Sequence, residues 1–164
     1  CTWMLRCAII IATNHDWFGR QPCGQAVDTM SEHESRKSRS YKDFQDFRAE
    51  LNDKILARGT TITKRFFTLD TKTYEAGALD VKTKELLGLS ASMVLRCDDC
   101  IAYHIDQCVQ AGASDEELFE TFDIALVVGG SIVIPHLRRA VAFVDACRAH
   151  AMSTQDTQSG ANDG

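Results

Sequence analysis

Residues 95–108, LRCDDCIAYHIDQC, place two cysteines three positions apart and a histidine four positions after the second. On a helix, steps of three and four residues return to the same face, so Cys97, Cys100, His104 and Cys108 share one stripe. The spacing therefore predicts a helix that brings thiols and an imidazole onto one surface. We expect the rest of the chain to be organised around this helix.

The chemistry of this stripe depends on the ionisation of its thiols. A thiolate is the reactive form of cysteine, and a helix N-terminus or a nearby histidine lowers the thiol pKa. The helix end favours Cys97, whereas His104 lies one turn from Cys100 and can accept its proton. Two cysteines in this spacing can also form a disulfide and carry two electrons. The residues alone leave open which cysteine reacts first, and also whether the pair is merely buried or is half of a zinc site.

Composition and charge exclude several classes of protein. The 164 residues are 45% hydrophobic and 25% charged, which is typical of a soluble domain with its own core. The net charge is −5 without a basic stripe, so we predict no nucleic-acid partner. No apolar run approaches the ~18 residues of a membrane span, so we predict no membrane association. Seven cysteines in a largely helical pattern favour a reducing cytoplasm over an extracellular disulfide scaffold.

The chain divides by composition into four segments. It begins with Cys1 and holds both tryptophans before Met30, which starts a sequence typical of a natural N-terminus. The end of the chain is rich in Ser, Thr, Gln, Asp and Gly. The predicted segments are a non-native or unrelated leader at 1–29, a polar segment at 30–40, a helical domain at 41–150 and a disordered tail at 151–164.

Helical periodicity and capping residues predict an all-α domain without strands. Asp80 is a good N-cap, Ser114 and Glu117 form a capping box, and Pro135 either starts or kinks the last helix. Lys84 and Glu85 are expected on the polar side of their helix. The predicted helices cover 41–58, 63–74, 81–95, a cysteine helix that follows a connection at 96–99 and runs to about 111, 115–128, and 131 or 135 to 150.

Two segments are apolar nearly all round the helix. They are IALVV at 124–128 and VAFV at 141–144. A helix without a polar face must be covered on every side. In a small domain, this pattern predicts that a subunit interface covers the remaining face, and hence a homo-oligomer.

The four residues Glu85, Cys97, Cys100 and His104 follow the spacing Glu-x11-Cys-x2-Cys-x3-His. With GALD before this segment, GAS-DEEL after it and a later double glycine, the pattern resembles the alkylhydroperoxidase D-like branch of the carboxymuconolactone decarboxylase superfamily. The resemblance covers about residues 66–146. It implies a small helical-bundle domain that assembles as a homotrimer or homohexamer, with the cysteine helix near a subunit interface.

The resemblance also implies thiol peroxidase chemistry of the peroxiredoxin type. Carried over by position, Cys100 is the peroxidatic nucleophile, Cys97 is the resolving cysteine, and His104 and Glu85 form a proton relay. The substrate is then hydrogen peroxide or an organic hydroperoxide, and an external dithiol, whose identity the sequence does not give, donates electrons. No cofactor and no metal ion is expected.

Two further residues are weaker site candidates. Asp99 stands where the best-known peroxidases of this type have a histidine, and a carboxylate close to a thiol opposes thiolate formation. His136 could line the site from the last helix or from an adjacent subunit.

Arg138 and Arg139 could hold either an interface or a substrate carboxylate. The remaining cysteines of the domain, Cys108 and Cys147, are expected to be packing residues.

Three alternative functions remain open at this point. The first is the other chemistry of the superfamily, decarboxylation of a lactone acid, which needs no dithiol and is therefore disfavoured by the cysteine pair. The second is a dithiol–disulfide oxidoreductase. The third is not an enzyme but a zinc- or redox-sensing oligomer.

Overall fold

A computed structural model describes residues 40–159 of the chain, with side chains through residue 154. These residues belong to the compact unit Lys37–Gly164. The predicted leader and nearly all of the polar segment at 30–40 lie outside the described residues. Within 40–159 every regular element is helical, which confirms the all-α prediction. The helices are α1 (Tyr41–Arg58), α2 (Thr61–Thr73), α3 (Val81–Leu95), α4 (Asp98–Gln110), α5 (Asp115–Gly129), a 3₁₀ turn (Ser131–Val133) and α6 (Ile134–Ser159).

The helix starts follow the capping signals in the sequence. The Asp80 carboxylate accepts a hydrogen bond from the Thr83 backbone N–H and caps α3. Ser114 and Glu117 form the predicted capping box of α5. Pro135 lies in the first turn of α6. Backbone N–H groups in a first turn have no acceptor within the helix, so the lack of an N–H in proline costs nothing there, and Pro135 starts the helix and does not kink it.

The last helix extends beyond its predicted end. It continues through Ser159, so the prediction of disorder from residue 151 is wrong for residues 151–159. Ala151 and Met152 favour helix. The hydroxyl groups of Ser153 and Thr154 donate hydrogen bonds to the carbonyl of His150. These polar residues therefore satisfy the helix backbone instead of ending it.

The core lies between α3, α4, α5 and α6. Helix α3 packs against both α4 and α5, and α4 packs against α6. The side chains that fill this space include the fully buried Leu89, Met93, Ile105, Leu118 and Phe122. Burying such side chains contributes about 1.5–3 kcal/mol each to stability relative to exposure. The cysteine helix α4 is thus held at the centre of the bundle.

Several apolar side chains remain at the surface of the single chain. On α5, Val127 is 87% exposed and Val128 is 69% exposed. Helix α2 buries none of its residues, and Phe66 on it is also exposed. None of the described helices is both long and apolar enough to cross a membrane.

Candidate active site

A buried pair joins α3 to α4. The Nδ1 atom of His104 lies 2.7 Å from Oε2 of Glu85, and the two residues are only 8% and 2% exposed. The placement of Glu85 on the polar side of α3 is therefore wrong, because its carboxylate points into the bundle towards the imidazole. A carboxylate at Nδ1 orients the ring and stabilises its charged form. His104 lies one helical turn after Cys100 on α4.

Gly88 allows this close approach between α3 and α4. A methyl group at this position would lie 2.6 Å from Cε1 of His104 and 2.8 Å from the Tyr74 hydroxyl. Glycine costs about 0.5–1 kcal/mol in a helix interior relative to alanine. This cost is accepted here because the absence of a side chain leaves room for the His104 imidazole.

The Gly88→Ala variant is expected to lose stability. Crowding of the buried imidazole should cost about 1–3 kcal/mol, more than the helix gains from alanine. Thermal unfolding would be compared with that of Gly77→Ala, where an added methyl group meets only Lys84 Nζ at 3.8 Å. A wild-type unfolding temperature for Gly88→Ala would contradict this account.

Two tyrosines enclose the imidazole. The ring centroids of Tyr74 and Tyr103 lie 5.3 Å and 5.2 Å from that of His104. Burial raises the pKa of both phenols, and the charge of Glu85 raises it further. The guanidinium of Arg48 stacks 3.7 Å from the Tyr103 ring centroid. The Glu85–His104 pair is thus enclosed by phenols that keep their protons at neutral pH.

The cysteine pair lies at the N-terminus of α4. Cys97 is the N-cap residue, and the backbone N–H of Cys100 points at its sulfur, 3.4 Å away. The two cysteines form a disulfide with Cα atoms 5.2 Å apart. Cys97 is half-buried, whereas Cys100 is exposed. The pair is therefore positioned both to cycle between dithiol and disulfide and to meet a reactant from solvent.

A cluster of charged residues lies against the start of α4. Asp98 directly follows Cys97, and its carboxylate is 2.7 Å from His136 Nδ1 and 3.0 Å from Arg139 Nε. Burial works to raise the pKa of Asp98, but the hydrogen bonds from His136 and Arg139 outweigh it and the pKa is lowered. His136 thus reaches the cysteine turn through Asp98. The other weak candidate, Asp99, is exposed in the first turn of α4.

The remaining described cysteines are buried in the core. Cys108 and Cys147 are 0% and 2% exposed. Burial, together with the charge of Glu85 near Cys108 and of Asp106 near Cys147, raises the pKa of each thiol to about 12. Both therefore remain protonated packing residues at neutral pH.

Alkylation of the folded, reduced protein at pH 8 should separate the two classes of thiol. Cys97 and Cys100 are expected to react with iodoacetamide, while Cys108 and Cys147 stay unmodified until denaturant is added. Peptide mass spectrometry identifies each site. Rapid labelling of Cys108 in the folded protein would show that the α4 stripe is more accessible than this structure indicates.

Among residues 40–159, no group of three or more His, Cys, Asp or Glu side chains is arranged to hold a metal ion.

Sequence reasoning missed several residues of the site. Tyr74, Tyr103 and Asp98 come close to His104 or to the cysteine turn only through tertiary packing. Arg139, predicted to hold an interface or a substrate carboxylate, instead pairs with Asp98. Gly88 did carry a signal, because a glycine in a helix interior often marks a close approach.

Comparison with known proteins extends these observations. The sequence profile of the Carboxymuconolactone decarboxylase family matches residues 61–143, which include Glu85, Cys97, Cys100 and His104. An uncharacterised protein of Paracoccus denitrificans, protein 4 of its cox locus, is 29% identical over 87 residues, or 53% of this chain and 78% of that protein.

Solved structures of the same family are similar in fold. A carboxymuconolactone decarboxylase family protein from Thermotoga maritima, for which a part in an antioxidative response has been suggested, is 65% identical with a TM-score of 0.65. The match covers 68% of this chain and 94% of that one. A family member from Legionella pneumophila is 30% identical with a TM-score of 0.51, over 66% and 90% of the two chains. The chain described here therefore belongs to the carboxymuconolactone decarboxylase family.

Proposed function

We propose that this protein is a thiol-dependent peroxidase of the alkylhydroperoxidase D-like type that reduces hydrogen peroxide or organic hydroperoxides. The observation that carries the proposal is the buried Glu85–His104 pair, one helical turn from Cys100 in a Cys-x-x-Cys disulfide. A base that is oriented by a carboxylate and adjoins a thiol is the arrangement that activates a cysteine nucleophile.

The proposed cycle begins at Cys100. Its thiol gives a proton to the His104–Glu85 relay, and the thiolate attacks one oxygen of the peroxide. The O–O bond breaks, Cys100 becomes a sulfenic acid, and the other oxygen leaves with a proton as alcohol or water. The exposure of Cys100 and the half-burial of Cys97 support this order of attack.

The second half of the cycle restores the dithiol. The Cys97 thiol attacks the sulfenic sulfur of Cys100, which forms the disulfide and releases water. Two electrons and two protons from an external dithiol then reduce the disulfide by thiol–disulfide exchange. The proposed partners are thus a peroxide and a dithiol donor, and the reducing cytoplasm is the proposed location.

The proposal includes assembly as a homotrimer or homohexamer. Support comes from the exposed apolar side chains of one subunit, in particular Leu95 at the end of α3 and Val127 and Val128 on α5. Leu95 lies two residues before Cys97, so an interface at Leu95 would lie near the cysteine turn.

Steady-state peroxide consumption with dithiothreitol as reductant tests the proposal. The wild-type protein should consume hydrogen peroxide or cumene hydroperoxide with a rate proportional to enzyme concentration. Absence of turnover, with both thiols shown to be reduced and metal-free, would overturn it.

A dithiol–disulfide oxidoreductase is the second candidate, favoured by one observation. The Cys97–Cys100 disulfide leaves Cys100 exposed, so the pair can exchange directly with the disulfide or dithiol of another protein. Reduction of a model protein disulfide without peroxide activity would favour this function. Turnover of a lactone acid would instead favour a lyase, and stoichiometric zinc without thiol reactivity would favour a sensing oligomer.

A further inference from the structure

We propose that Asp98, His136 and Arg139 form a charge clamp that sets the ionisation and the reduction potential of the Cys97–Cys100 pair. This inference rests on the proposed redox function of that pair. It assigns a positioning role to α6, the helix that carries His136 and Arg139.

The clamp joins the cysteine turn to a different helix. Asp98 is the first residue of α4, and both of its carboxylate oxygens are engaged, Oδ1 by His136 and Oδ2 by Arg139. An ionised carboxylate only accepts hydrogen bonds, so His136 must carry its proton on Nδ1. The Nη2 atom of Arg139 also lies 3.0 Å from this nitrogen, but both are donors, so the Asp98 carboxylate alone holds the two side chains together.

The position of the cluster gives it an electrostatic role. Asp98 is covalently adjacent to Cys97 and lies in the same helical turn as Cys100. Its negative charge at this place raises the free energy of either thiolate. The Arg139 guanidinium binds the carboxylate and offsets that charge. A hydrogen bond between a guanidinium and a carboxylate is stronger than one between neutral groups. The clamp therefore permits an acidic residue at the helix N-terminus without suppressing the thiolate beside it.

Removing the positive charge and removing the negative charge of the clamp should shift the thiol pKa in opposite directions. Arg139→Gln leaves the Asp98 carboxylate without its guanidinium, so the thiol pKa should rise by about half a unit and the disulfide should become harder to reduce. Asp98→Asn leaves the guanidinium without its carboxylate, so the thiol pKa should fall by about the same amount. Half a unit is about a threefold change in the equilibrium constant, or about 15 mV for this two-electron couple.

The experiment measures both properties on the full chain. The pH dependence of iodoacetamide labelling, read by tandem mass spectrometry at Cys97 and Cys100, gives the thiol pKa. Equilibration in dithiothreitol redox buffers gives the midpoint potential. Arg139→Lys should lie close to wild type because it keeps the charge. Arg138→Gln, which removes the same charge from the neighbouring exposed residue of α6, should shift either property by less than half as much as Arg139→Gln.

A merely structural role predicts a different pattern. Both Asp98→Asn and Arg139→Gln would then loosen the turn and shift the two properties in the same direction, which would overturn the clamp. An Arg138→Gln shift equal to that of Arg139→Gln would also overturn it. Opposite shifts in a protein that consumes no peroxide would support the clamp while refuting the peroxidase. Peroxide turnover without opposite shifts would refute the clamp alone.

Discussion

Replacement of Cys100 with serine is expected to reduce peroxide turnover by on the order of 10³-fold or more, to the background rate of the dithiol reductant. Serine keeps the approximate size of the side chain but replaces the nucleophilic thiol with a hydroxyl, which ionises far less readily than a thiol. Cys100 is the exposed member of the pair and lies one turn from the relay. The measurement is steady-state consumption of hydrogen peroxide with dithiothreitol in excess.

Two further variants test whether this loss reflects the role of Cys100 as the nucleophile. Cys97→Ser should still reduce one equivalent of peroxide per active site, because only the resolving step is removed. Cys147→Ala removes a buried thiol of α6 whose pKa is raised to about 12, and should leave turnover unchanged. A Cys100→Ser variant that retains wild-type turnover would show that Cys100 is not the nucleophile.

The Glu85→Gln variant is expected to lower turnover by about 10²-fold without unfolding the protein. General acid–base catalysis contributes about 10²–10⁴-fold to rate constants, and a carboxamide cannot stabilise a charged imidazole as a carboxylate does. Glutamine fills the same volume and can still hydrogen-bond to Nδ1 of His104, 2.7 Å from the present carboxylate. The expected change is therefore in activity, with the thermal unfolding transition close to that of wild type.

Matched variants separate the relay from general charge effects. Glu120→Gln makes the same chemical change at an exposed position of α5 and should leave turnover unchanged. His104→Gln should lose about as much as Glu85→Gln, and the double variant little more, because residues that act as one unit are not additive. Independent, multiplicative losses would contradict a shared relay.

The helices could be predicted from the sequence because their signals are local. Asp80, Ser114 and Glu117 cap helices through hydrogen bonds within a few residues, and the structure confirms these starts. The end of α6 could not be predicted in this way. Polar residues after His150 read as a tail, yet their hydroxyl groups bond back to the helix carbonyls.

The site was less accessible to sequence reasoning because its contacts are tertiary. Periodicity placed Glu85 with Lys84 on a polar face, and only the family resemblance, which includes the Glu85-x11-Cys97 spacing, implied a relay. The structure shows why Glu85 is buried although its helix position looked polar: the buried imidazole of His104 on α4 provides a hydrogen-bonding partner for its carboxylate. The Asp98 clamp had no sequence signal, because Asp98 and His136 lie 38 residues apart.

The central claim, that Cys100 attacks peroxide, is tested most directly by trapping its oxidised form. The reduced Cys97→Ser variant would be treated with one equivalent of hydrogen peroxide and then with dimedone, which reacts with sulfenic acids. We expect a single adduct, located on Cys100 by peptide mass spectrometry, and far less adduct when Glu85→Gln is added. Peroxide consumed without an adduct on Cys100, or an adduct on Cys97 in the Cys100→Ser variant at the same rate, would contradict the account.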